Sequence, residues 1–345
     1  ILNLLMTHDK KDNEILIKWL TYSMFLIILM IIVGGLTRLT NSGLSITEWE
    51  LFTGIIPPLN ENVWNNYFNL YKNIPQYKLI NPNMTLDEFK IIFYWEYIHR
   101  ILGRIIGLFF LLPLIFFHIF KTIHKNDLID YYLILFLIIL QGFIGWYMVQ
   151  SGLVNDVTVS HYRLSIHLTG AIIILSIIFW KIQNLKGEKI KNFFTIENKS
   201  FPFLVLIFLV FLQIIFGAFV SGLDAGKIYQ TWPLMGTNYF PDDLILKNVF
   251  DLINFDSHSL VQFYHRNLAY FISLYIFFLV FLVYKSKLQK LYRPMFLLLA
   301  ILSIQIILGI LTLISGLNIL IAASHQISSV ILVLSSLNLY YLSIK

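Results

Sequence analysis

The sequence predicts an all-α, polytopic membrane protein whose eight transmembrane helices form two parallel-repeat four-helix bundles. Three observations carry that expectation. Charged residues make up 13% of the chain and hydrophobic residues 58%, whereas soluble domains carry about 25% charge. Apolar runs of about 20 residues, the length that crosses a bilayer, recur at roughly 15–37, 91–117, 130–151, 162–181, 202–221, 258–284, 294–315 and 319–343. Segments of the first half also reappear in the second.

The first span follows the polar head 7-THDKKDNE-14 and is too long for a signal core, so neither a cleaved signal nor a transit peptide is expected. A long outer loop, about 40–90, precedes the second span and carries 45-SITEWELFTGIIPP-58. Its aromatic and proline content fits a folded cap over a site in the first bundle, and equally an interfacial segment lying on lipid. The seventh and eighth spans are joined by a tight turn at Gly316-Leu317-Asn318. With no cysteine, structural disulfides, thiolate metal sites and thioether attachment of haem are all excluded.

The net charge of +6 is not a nucleic-acid footprint, because it is distributed by loop. Fifteen Lys and Arg fall in alternate segments (Lys10 to Lys18, Lys121 and Lys125, Lys181 to Lys199, Lys285 to Arg293, Lys345), and five lysines fall in the opposite loops. By the positive-inside rule both termini are cytoplasmic. The remaining five basic residues, Arg38, Arg100, Arg104, Arg163 and Arg266, lie near the outer ends of spans.

The duplication is visible in matched segments. Glu96-x-x-His99-Arg100 corresponds to Gln262-x-x-His265-Arg266 at an offset of 166 residues, and 141-QGFIGWYMVQSGL-153 corresponds to 305-QIILGILTLISGL-317 at an offset of 164. The expected division is 1–199 and 200–345, four spans each. An even number of spans makes the copies parallel repeats, and two four-helix bundles follow. The Q-x-x-x-G segments read first as helix packing, since small residues let membrane helices approach closely.

Of nine histidines, four lie within spans: His99, His167, His265 and His325. All four spans enter from the outside, and each histidine falls about 10–13 Å deep at 1.5 Å per residue. Paired imidazoles in each bundle, without cysteine or matched carboxylates, suit axial ligation of haem iron. Zinc would require three or four protein ligands where each half offers two. The pairs read as His99 with His167 and His265 with His325. Small residues after each histidine (Gly103, Gly170, Ala269, Ser328) leave room for a flat macrocycle or simply for helix packing. Arg100 and Arg266 directly follow ligand candidates and suit haem propionates, as do Arg38, Arg104 and Arg163 in the same layer, with snorkelling to headgroups as the alternative. Glu96 lies on the same helix face as His99, where the other half has Gln262. A buried carboxylate in only one bundle marks the first half as the chemical site, able to move protons.

The segments 34-GGLTRLTNSGLSITEWELFTGIIPPL-59, 95-WEYIHRILGR-104, 160-SHYRLSIHLTGA-171, 264-YHRNLAY-270 and 324-SHQ-326 resemble the heme A synthase family over nearly the whole chain. The resemblance implies an oxidoreductase acting on a CH group. The first half would oxidise the C8 methyl of heme O to the formyl of heme A, with water as the oxygen source and heme b in the second half. It implies Glu96 as the essential glutamate and His99, His167, His265 and His325 as haem ligands. It also implies a bacterial inner-membrane setting, heme O as substrate, and heme O synthase and cytochrome oxidase assembly factors as partners. Self-association into a homo-oligomer is left open. Some members carry a cysteine pair in the first outer loop, which this chain lacks, as do the mitochondrial and alphaproteobacterial members. His161, near the outer edge of the fourth span, competes on paper with His167 as a ligand. Two other functions remain: a diheme b-type electron carrier, which predicts equivalent halves, and a transporter, which predicts broken helices and polar groups at mid-membrane.

Overall fold

The computed structural model describes residues 2–49, 53–154, 156–187, 190–195, 197–245 and 247–344. Glu50, Leu51 and Phe52 of the first outer loop, and Lys189 and Lys345 of the basic segments, lie outside the described residues. The described chain is helical, with no β-strand and a single isolated bridge, Met235 to Asn238. Ten α-helices follow in order: α1 (Leu2–Leu39), α2 (Glu61–Lys72), α3 (Pro75–Leu79), α4 (Leu86–Ile119), α5 (Leu128–Gly152), α6 (His161–Lys186), α7 (Phe201–Gly222), α8 (His258–Lys285), α9 (Tyr292–Ile314) and α10 (Ile319–Ser343). All except α2 and α3 are long and apolar enough to cross a membrane, giving eight candidate spans among the described residues. Large apolar side chains such as Phe25, Leu112, Ile139, Leu274 and Phe296 stay exposed on them, as lipid-facing surfaces require.

The chain divides into two compact units, Ile1–Ile178 and Phe179–Lys345. The boundary falls inside α6, upstream of the division expected between 199 and 200. The reason is local packing in the second unit. Trp180 packs on Tyr340 with ring centroids 5.6 Å apart, Gln183 Nε2 donates to Asn338 Oδ1 at 2.8 Å, and Tyr341 OH donates to the Gln183 carbonyl at 2.9 Å.

In the first unit α1 packs on α4, and α4 on α5. Trp19 anchors their inner ends, stacked on Tyr131 and tilted against Phe110. α1 stops where Asn41 takes a left-handed conformation (φ 53°), letting Ser42 N donate to the Thr37 carbonyl at 2.9 Å. α4 begins five residues before the expected span. Thr85 and Glu88 form a reciprocal capping box there. The added residues include Phe89, which joins Ile92 and Phe93 of the expected span in a buried cluster with Leu44, Ile46, Trp64, Phe68 and Tyr71 of the outer loop. That loop is a folded element, fastened by a polar chain in which Tyr71 OH donates to Gln76 Oε1 at 3.0 Å and Gln76 Nε2 donates to the Asn41 carbonyl at 3.1 Å. Burial raises the Tyr71 phenol pKa above its ordinary value.

In the second unit α7 packs on α8 and α10, and α9 on α10. The α9–α10 turn is tight because Gly316 and Leu317 both take positive φ (69° and 64°), and Leu317 N donates to the Thr312 carbonyl at 2.9 Å.

Candidate functional site

Four histidines project from α4, α6, α8 and α10, and each ring rests on a glycine of the span before it. A Cβ at Gly34 would stand 2.9 Å from Cε1 of His99, and at Gly145 3.4 Å from Cε1 of His167. In the second unit the distances are 3.1 Å from Gly217 to His265 and 2.9 Å from Gly309 to His325. Three of these glycines lie four residues after a glutamine, in Gln141-x-x-x-Gly145, Gln213-x-x-x-Gly217 and Gln305-x-x-x-Gly309. The segments that read as general helix packing are therefore histidine platforms. The room expected beside Gly103 and Gly170 is taken up by Met30 and by the Gln141 amide.

The histidines meet in pairs within each unit. The ring centroids of His99 and His167 are 6.4 Å apart, and those of His265 and His325 are 6.5 Å apart. An imidazole nitrogen binds a metal at ~2.0–2.1 Å, so two rings facing one metal place their centroids roughly 6.3 Å apart. The spacing fits a bis-histidine centre in both units. Among the described residues no group of three or more His, Cys, Asp or Glu converges on a metal position. A donor set of two imidazoles suits an ion whose other ligands come from a macrocycle. His161, at the start of α6, is buried against Tyr162 with ring centroids 4.0 Å apart; the ring that faces His99 is that of His167.

Glu96 is 3% exposed and fully engaged. Its Oε1 accepts from Arg100 Nη2 at 2.6 Å and Nε at 3.1 Å, and its Oε2 accepts from Ser45 Oγ at 2.7 Å and Ile46 N at 2.9 Å. The same guanidinium donates to the carbonyls of Ile46 (2.8 Å) and Glu48 (3.1 Å) and lies over the Trp49 ring at 5.3 Å. The carboxylate and its arginine together lace residues 45–49 onto α4.

The second unit makes the corresponding latch with reversed polarity. Gln262 Nε2 donates to the Tyr229 carbonyl at 2.9 Å, and Arg266 donates to the carbonyls of Tyr229 (3.0 Å) and Leu234 (3.2 Å). Beside it, Asp243 accepts from Tyr229 OH at 2.5 Å and Ser259 Oγ at 2.6 Å. Burial pushes the Asp243 carboxyl up, but these two hydroxyls outweigh it and hold it below the usual carboxylate range. The same bond raises the Tyr229 phenol.

Arg100 and Arg266, read from sequence as propionate partners, are thus occupied by the outer loops. Arg38 ends α1 and donates to Asn41 Oδ1 at 2.9 Å. Arg104, one turn below Arg100, lines a small cleft with Glu48, Tyr67, Phe93, Tyr97 and Arg100. Arg163 stacks over Tyr147 at 4.8 Å. Nothing local in the sequence marks Ser45 as a serine that reaches a carboxylate 51 residues away. Gln213, by contrast, is marked in the sequence by a third Q-x-x-x-G copy, Gln213-x-x-x-Gly217.

Residues 17–337 match the model of the family described as cytochrome oxidase assembly protein, COX15-CtaA. The chain is 54% identical over 323 residues to the heme A synthase of Pelagibacter ubique (strain HTCC1062), covering 92% of this chain and 93% of that protein. It is 41% identical over 327 residues to the heme A synthase of Rickettsia felis, covering 93% and 96%. It is 42% identical over 335 residues to that of Rickettsia canadensis, covering 96% and 98%.

Proposed function

The chain belongs to the COX15-CtaA family of cytochrome oxidase assembly proteins, and from that premise we propose that it is a heme A synthase of a bacterial inner membrane, with both termini cytoplasmic. The observation that carries the proposal is an asymmetry. Two histidine pairs have the spacing of axial ligands, and only one has a carboxylate on its helix face, Glu96 against Gln262.

In this reading His99 and His167 hold heme O as substrate and His265 and His325 hold heme b. Bound heme b supplies a one-electron redox centre. Converting a methyl group to a formyl group with the oxygen of water releases four electrons and four protons; the electrons would leave one at a time through heme b to an external one- or two-electron oxidant, and the protons need an acceptor in the first unit. Glu96 is that group. Arg100 balances its charge, and Ser45 and the Ile46 amide fix its orientation. The folded loop 40–90 excludes water from the outer end of the first unit. Arg104, Arg38 and Arg163 are the outer-layer cations for the propionates. Arg100 and Arg266 join them only where a propionate replaces a loop carbonyl. Heme O synthase and oxidase assembly factors are the partners this chemistry requires on either side of the reaction.

Extraction and identification of the haems from purified protein tests the reading. Heme b together with heme O or heme A is expected. Heme b alone would favour a diheme electron carrier, and absence of haem would favour a transporter.

A further inference from the structure

The two histidine pairs differ in what supports the imidazole nitrogen that faces away from the metal position. In the second unit both rings are supported. His325 Nδ1 donates to the main-chain carbonyl of Gln305 at 3.1 Å, while the Gln305 side chain, held by Ser328 Oγ, sets its Nε2 3.5 Å from His325 Nε2. Gln213 Nε2 lies 3.1 Å from His265 Nδ1 and 3.4 Å from its Nε2, and donates to the His265 carbonyl at 2.9 Å. The Oε1 of Gln213 is buried without a partner. When Nε2 of His265 is committed to iron, Nδ1 carries the proton, and a half-turn of the amide lets that Oε1 accept it in exchange for the bond to the His265 carbonyl.

In the first unit neither ring is supported. The Nδ1 atoms of His99 and His167 are both buried without a hydrogen-bond partner. The cause is two substitutions between the repeats. Met30 stands four residues before the His99 platform Gly34, where Gln213 stands before Gly217. Gly170 follows His167 by three residues, where Ser328 follows His325. Lacking that serine, Gln141 folds onto Gly170, so close that a Cβ there would meet its Nε2 at 1.9 Å, and its Oε1 is unpartnered.

We propose that Gln213, through its side-chain amide, and Gln305, through its main-chain carbonyl with the side chain pinned by Ser328, position the second histidine pair as a retaining haem site, and that Met30 and Gly170 leave the first pair an exchangeable one. The inference rests on the assignment of substrate haem to the first unit and heme b to the second. A partner on Nδ1 fixes the tautomer and ring orientation and raises the basicity of the ligating nitrogen, and losing such a partner costs roughly 10–100-fold in metal affinity. A site that must take up substrate and give up product works better without that support. A permanent redox centre works better with it.

The reciprocal exchange Gln213→Met and Met30→Gln tests this. Each purified protein, carrying its native haems, is mixed with excess apomyoglobin. Haem loss is followed optically, since the formyl group of heme A separates its absorption from that of heme b. Gln213→Met should release heme b about 10–100-fold faster than the parent and raise its midpoint potential, because a less basic imidazole stabilises ferric iron less. Met30→Gln should slow release of haem from the first unit, a gain that misfolding cannot mimic. Unchanged release and potential in Gln213→Met, with heme b present and lost in His265→Ala, overturns the inference and leaves the site assignment standing. Parent protein without b-type haem overturns the assignment beneath it.

Discussion

Glu96 and Arg100 stand one turn apart on α4 with Nη2 2.6 Å from Oε1, and both side chains are turned into the outer loop. The carboxylate proposed for chemistry is therefore also the main fastening of residues 45–49. Its two roles predict a composite phenotype. In Glu96→Gln one of the donors around the side chain, either the Arg100 fork or the Ile46 amide, faces an amide NH2. A buried donor left unmatched costs about 1–3 kcal/mol. The protein should fold and bind both haems, with heme A formation collapsing and heme O or a partly oxidised haem accumulating. Haem analysis of expressing cells decides it. Near-normal heme A would remove Glu96 from the chemistry and leave it as a latch.

The reverse exchange should not create a second chemical site. Gln262 Nε2 donates to the Tyr229 carbonyl, so Gln262→Glu would set a carboxylate against a carbonyl, with Arg266 as its nearest cation. We expect unchanged heme A output and a loosened second outer loop, seen as faster protease cleavage between 228 and 257. Heme A output above that of the parent would contradict the division of labour.

The glycine platforms make graded predictions. An added methyl in a packed core costs about 1–3 kcal/mol when neighbours must shift. At Gly309 the new Cβ meets the His325 ring at 2.9 Å, whereas at Gly145 it meets the His167 ring at 3.4 Å, an ordinary contact. Gly309→Ala should lower haem occupancy in the second unit, and Gly145→Ala should leave haem content near that of the parent. Equal haem content in the two purified variants would show that the platforms do not set ring position.

The pairing of His265 with His325, their centroids 6.5 Å apart, predicts that either His→Ala change abolishes the low-spin b-type spectrum, because six-coordinate iron needs both axial imidazoles. A parental spectrum at full occupancy in either variant would refute the pair.

Tyr71 bridges Gln76 and Asn81 at the heart of the first outer loop. Tyr71→Phe should leave both amides short of a partner and destabilise the loop by about 1–2 kcal/mol. Limited proteolysis between residues 60 and 85 should then speed up without loss of heme b. Unchanged cleavage would mean that the aromatic cluster alone holds the loop.

What the sequence by itself determined is whatever depends on position along one helix. Apolar run length placed all eight spans, because a bilayer sets the length of any helix that crosses it. Position and depth within each apolar run placed one histidine on each of α4, α6, α8 and α10. The difference between Glu96 and Gln262 needed no coordinates. What only the tertiary structure decided is how each helix is rotated against its neighbours and where the loops return. Lateral contacts depend on that rotation, and an all-round apolar helix carries little periodic signal for it. So the seating of the histidine rings on glycines, the contact of Gln213 with His265, and the engagement of Glu96 by Ser45, Ile46 and Arg100 appear only in the fold. The extra turns of α4 belong to the same class. Thr85 and Glu88 cap a helix that starts early, and the folded loop buries its added Phe89, a burial that local propensity does not contain.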